Sequence, residues 1–223
     1  MHYFLPYLIH WGRPGLIAVV MGLLVSGCTS FSAHHSQFRH YRQPMAVMLM
    51  LPPEIGIFEQ LSDGSRLYRE QYSRTAQRRA QEMIAEQLRL RHFEARAVDP
   101  GMINELPYTE IISLFRSVNH SIQLHTFGPQ PYPAKRKAFE YDLGPVVDIM
   151  TENGVDGLVL AIGHQTGFEP ALKNWFSIAI VEPQGRIIWY GMTTDCHQYD
   201  FQRQELLAKQ VADTLNHFWE AVP

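Results

Sequence analysis

Between Asp156 and Thr194 three apolar runs of strand length follow one another: D-G-L-V-L-A-I-G-H-Q, N-W-F-S-I-A-I-V-E and R-I-I-W-Y-G-M-T-T. Pro183 and Gly185 bracket Gln184, so the second and third runs are predicted to form a hairpin closed by a loop of about four or five residues. Alternation from Asn174 to Glu182 puts Phe176, Ile178 and Ile180 on one face and Trp175, Ser177, Ala179 and Val181 on the other, both partly covered. Earlier in the chain, Ala46–Leu51 is a short apolar run stopped by Pro52-Pro53. Phe93–Val98 alternates and ends at Asp99-Pro100-Gly101. Glu54 to Gly64 reads as a loop.

Helical spacing fills the intervals. From about Ser65 to His92, Tyr68, Tyr72, Ala76, Ala80, Met83, Ile84 and Leu88 recur every three or four residues and form one stripe. Tyr108–Val118 is a shorter candidate. Ala138–Asn153 is another, with Gly154 as its C-cap, and Phe201–Trp219 closes the chain with Leu207, Val211, Leu215 and Phe218 on one side. Asn119–Lys137 breaks every pattern, with Gly128, Pro129, Pro131 and Pro133 interleaved with Phe127 and Tyr132; it reads as a binding loop or a poorly ordered insertion. The predicted class is α/β (α+β): a single mixed sheet of about five strands packed by helices.

A length of 223 residues suits one well-filled core. At 46% hydrophobic and 18% charged, the composition excludes wholesale disorder. A net charge of -3 supplies no general attraction to polyanions, so nucleic acid is not an expected partner.

The amino terminus changes the picture. His10 and Arg13 precede an apolar run, Leu16–Val25, too short to span a bilayer and suited to a signal peptide. It ends in Val25-Ser26-Gly27-Cys28, which resembles the lipobox of bacterial lipoproteins. That resemblance implies cleavage between Gly27 and Cys28 and acylation of Cys28, whose buried chains anchor the protein to the lipid bilayer. Thr29, not being aspartate, implies sorting to the outer membrane, facing the periplasm. The expected organisation is a signal peptide over 1–27, a lipidated cysteine and tether over 28–44, and an α/β domain over 45–223. Fully extended, the tether reaches at most about 55 Å, and its His34, His35, Arg39, His40 and Arg42 are placed to rest on anionic head groups.

Candidate chemistry is sparse. The polar side of the long helix carries Arg66, Arg69, Arg74, Arg78, Arg79, Arg89 and Arg91 against Glu70, Glu82 and Glu86. This is either a docking face for phosphates or an acidic envelope polymer, or a solvated face neutralised by pairs such as Glu70 with Arg74. Arg69, Arg74, Arg78 and Arg79, with Phe127 and Tyr132, are the candidate binding residues. Asp195-Cys196-His197 is the one place where a thiol adjoins possible activators, but neighbours on an extended chain point to opposite faces. His120 with His125, or His164, are the candidate metal ligands; the alternative function is a periplasmic hydrolase that depends on Cys196 or on such a metal. No H-E-x-x-H, C-x-x-C or phosphate-cradling glycine motif accompanies them, and no catalytic residue, metal or cofactor is assigned.

In the order of its elements the chain resembles the envelope lipoproteins and periplasmic proteins of TolB amino-terminal-like (anticodon-binding-like) fold. These include the curli secretion lipoprotein CsgG and the penicillin-binding-protein activator LpoB. The resemblance runs over residues 45–222 and implies no enzyme: it implies a non-catalytic binding or assembly accessory whose partners are envelope proteins or a cell-wall polymer. Unlike the curli protein, the chain lacks amphipathic hairpins able to line a transmembrane barrel.

Overall fold

The computed structural model of the chain describes residues 29–98, 105–127, 132–168, 172–194 and 199–220. The signal peptide, Gly27, Cys28 and the Asp195-Cys196-His197 triplet lie outside the described residues.

The three predicted runs are the backbone of the sheet: β6 (Gly157–Thr166), β7 (Lys173–Val181) and β8 (Ile187–Thr194), paired antiparallel in sequence. The β7–β8 loop is five residues, Glu182 to Arg186, and Gly185 sits there at φ 91°. An added Cβ on Gly185 would lie 1.8 Å from the Gly144 carbonyl oxygen, so the close approach as well as the backbone angle demands glycine. A bulge between Ile180 and Val181 makes Ile188 the extra residue of β8.

The sheet has eight strands, not about five. One addition is β1 (Thr29–His34), antiparallel to the outer side of β8 from Thr29↔Thr194 to His34↔Trp189. Its alternating Phe31 and Ala33 pack against one core. The reading of 28–44 as a structureless tether is therefore corrected: β1 is followed by helix α1 (Phe38–Arg42), whose Phe38 is buried edge-to-face on Phe218 at 5.8 Å. His34, His35 and His40 thus sit on the folded body.

The other two additions arise at the prolines. β2 (Val47–Met50) runs parallel to the first part of β6, Met48↔Gly157 to Met50↔Val159. After Pro52-Pro53 the chain resumes alongside the same strand as β3 (Glu54–Gln60), Glu54↔Ile162 to Phe58↔Thr166. Proline lacks the ladder donor, so register pairing lapses over Leu51, Pro52 and Pro53 without the chain turning away. A turn through Asp63 and Gly64 then returns β4 (Arg66–Tyr68) antiparallel to β3. The expected loop at Glu54–Gly64 is thus a hairpin arm. β5 (Glu94–Ala97) lies parallel to the far side of β2, and Asp156 ties two strand starts together by accepting the Ala46 and Val47 N–H groups at 2.9 Å each.

Both sheet faces are covered. On the first lie α2 (Glu70–Arg89), through Ala76, Ala80, Ile84 and Leu88, and α6 (Gln204–Glu220), through Leu207, Val211, Leu215 and Phe218. Tyr68 and Tyr72 were expected on the buried stripe; they are 47% and 45% exposed, because Tyr68 belongs to β4 and Tyr72 to the first turn of α2. On the second face lies α3 (Leu106–Ile122), with Tyr108, Ile111, Phe115 and Ile122 inward. It continues as one π-helical turn, Gln123–Phe127, and a short α4 (Pro133–Lys137) follows, so most of the patternless Asn119–Lys137 stretch is helical. The helix predicted over Ala138–Asn153 is reduced to α5 (Val147–Asn153). Residues 139–146 instead run along the β7–β8 loop, with Leu143 N–H donating to Gly185 and Ile187 N–H to Tyr141.

Candidate functional site

β5 hydrogen-bonds to β2 along one side, and among the described residues no strand pairs with the other. Since Glu94 N–H donates to Ala46 and Val98 N–H to Met50, strand alternation turns the Ala95 and Ala97 amides toward the open side. Between this edge and α2 runs an open groove of about 340 Å³, floored by Ala85, Ala95 and Ala97 and walled by Arg78, Gln81, Glu82 and Arg89. The floor is small enough for another backbone to approach closely, and the wall carries both signs of charge.

The predicted basic face is divided among different tasks. Arg74 pairs with Glu70, Arg69 with Glu59 at 3.4 Å and Arg89 with Glu86 at 3.4 Å. Arg79 donates to the Gln202 carbonyl at 3.2 Å, facing α6. Arg78, at the groove wall, has no ion-pair or hydrogen-bond partner among the described residues. Phe127 and Tyr132 belong to the opposite side of the sheet. Phe127 stacks on Phe31 at 4.9 Å, whereas Tyr132 is 57% exposed and leans on His125 at 4.7 Å. The structure therefore does not gather these six residues into one site.

A second surface lies at the end of the sheet where β3 and β6 finish. Trp175, His164, Phe58 and Tyr68 form a row across β7, β6, β3 and β4, with successive ring centroids 6.0, 4.9 and 5.4 Å apart. The register dictates it: His164 faces Trp175, and Phe58 faces Tyr68. Gly56 lies opposite His164, and the Phe58 ring folds over the space a Cβ there would fill, 2.7 Å from it. His164 shares a hydrogen bond with Thr166 at 2.8 Å. Burial, and then the nearby Arg66 charge, hold its imidazole below the ordinary value, so it is neutral at pH 7. Around the row, Leu61, Leu67, Tyr68 and Tyr72 are exposed. Sequence reasoning missed this surface because Phe58 fell in an assumed loop and Tyr68 in an assumed helix; the signal was the I-G-I-F alternation.

At the other end of the sheet, a cleft of about 700 Å³ lies between α1 and the β7–β8 loop. Its carboxylates are committed to the fold: Asp156 as above, and buried Glu182 accepting from the Arg186 backbone N–H at 3.1 Å. Of the candidate metal ligands, His120 belongs to α3, His125 packs on Tyr132 and His164 lies in the aromatic row. Among the described residues no group of three His, Cys, Asp or Glu side chains is placed to hold a metal ion. No helix among them is long and apolar enough to cross a membrane.

No protein-family model matches the chain, and no curated protein does. Among solved structures, it is similar to the lipoprotein GNA1162 from Neisseria meningitidis at 9% identity and a TM-score of 0.35, over 80% of this chain and 99% of that one. It is also similar to the LpoB C-terminal domain from Salmonella enterica at 11% identity and a TM-score of 0.30, over 71% of this chain and 92% of that one.

Proposed function

We propose that the protein is an envelope lipoprotein, held to the outer membrane through an acylated Cys28 and facing the periplasm, that acts by binding as an accessory of an envelope assembly. The lipobox supports the address. The open edge of β5 beside the groove supports the mode of action. An unpaired strand edge offers main-chain donors and acceptors to an extended segment, and such edges are ordinarily short, charged or covered. This one is short and carries the paired Glu94 and Arg96, but the outward N–H groups of Ala95 and Ala97 stay open beside Arg78, which has no ion pair among the described residues. The fitting partner is an extended, acidic segment of another envelope protein, hydrogen-bonded to Ala95 and Ala97 and drawn to Arg78.

Photo-cross-linking in cells tests this reading. A photoreactive residue in place of Gln81, in the groove, is expected to give a discrete adduct with an envelope protein. The same residue in place of Glu152, on the other face, is expected to give none. Ala97→Pro removes an outward N–H without touching the β2 ladder, so it is expected to abolish the adduct while changing stability by less than about 1 kcal/mol. Identical adducts from both positions, or an adduct indifferent to Ala97→Pro, would contradict edge docking.

A further inference from the structure

We infer that the aromatic end of the sheet rests on the lipid bilayer, with the Phe58–Tyr68 hairpin and Trp175 at the level of the head groups. The inference rests on the reading of Cys28 as the lipidated residue and adds an orientation to it.

The strand register carries the argument. Thr29 faces Thr194, Thr194 faces Trp175, Trp175 faces His164 and His164 faces Gly56 on β3, whose Phe58, two residues nearer the same end, faces Tyr68. The first residue of β1 and the aromatic row therefore occupy one end of the sheet. From β1 to β4 is five strand spacings, about 24 Å. Thr29 already belongs to β1, and the preceding residue is Cys28. Successive Cα atoms are about 3.8 Å apart, so an acylated Cys28 leaves no slack between membrane and domain. A body fixed so closely at one end must present that end to the interface.

The chemistry of that end suits the head-group region. Tyr and Trp rings, apolar in body and polar at the tip, favour this zone, and here they adjoin the exposed Leu61 and Leu67. Arg66 and Lys173 are exposed, carry no ion pair among the described residues and offer charge to lipid phosphates. Among the described acids nearby, Glu59 pairs with Arg69 and Glu70 with Arg74, while Asp63 at the hairpin tip keeps its charge, its carboxyl held below the ordinary range by the Ser65 hydroxyl and N–H. His34 and His35, expected on the head groups, lie at the opposite end of β1.

Depth-dependent fluorescence quenching tests the orientation. The full lipidated protein carrying Leu67→Trp, an exposed position, is reconstituted in phosphatidylethanolamine–phosphatidylglycerol vesicles with brominated acyl chains. Its added emission is expected to fall at least about twofold, whereas that of Glu152→Trp is expected to stay unchanged. Loss of the native Trp175 signal, isolated by difference against Trp175→Phe, gives a second readout from the same end. Vesicle-floated protein whose Leu67→Trp and Trp175 signals both stay unquenched would overturn the inference. So would a rim shielded only when envelope proteins are added, which would make it a protein contact. Failure of lipidation itself is distinguishable, because such protein would not float with the vesicles at all.

Discussion

Asn119 accepts two buried hydrogen bonds through one oxygen, from Ser177 on β7 and Tyr190 on β8, each at 2.8 Å. Burial pushes the Tyr190 phenol up, so it remains a donor at any ordinary pH. The same asparagine explains why α3 looked too short from sequence. It occupies an inward position between Phe115 and Ile122, where a polar residue breaks the apolar pattern although the helix continues. Asn119→Ala should cost about 2–4 kcal/mol in urea unfolding, since both hydroxyls lose their best acceptor and a small void is left. A cost below about 0.5 kcal/mol, usual for surface positions, would contradict the network.

Elements defined by their own residues were legible, and those defined by distant pairing were not. The β6, β7 and β8 runs carry dense β-branched and aromatic residues, and the long amphipathic helices carry alanine and leucine at regular spacing. β3 and β4 were hidden because a proline pair looks like a terminator and Asp63-Gly64 looks like a helix cap; only β6 running past both shows otherwise. The overlong helix at Ala138 was avoidable: Gly144-Pro145 disfavours helical backbone at the residue before proline. β1 and α1 were hidden by their polar composition, which reads as a tether until Phe38 is seen packed on Phe218. Phe38→Ala is expected to cost about 3–5 kcal/mol in equilibrium unfolding. An unchanged unfolding midpoint would restore the flexible tether.

In the whole molecule, the two surfaces lie at different positions on one sheet. Tyr68, at the outer end of the aromatic row, lies just before α2, and Arg78 to Arg89 follow about 12 to 28 Å along that helix from its start. On the proposed anchoring, a bilayer at the rim would leave the β5 groove away from the membrane surface, open to an extended partner. Composition and charge showed neither surface; both depend on which strands become neighbours. The arrangement has meaning only if the chain is anchored at Cys28, and the intact mass of protein purified from membranes tests that directly. The expected mass is that of a chain beginning at Cys28 and carrying diacylglycerol. A mass corresponding to an unmodified chain that still begins at Met1 would contradict it.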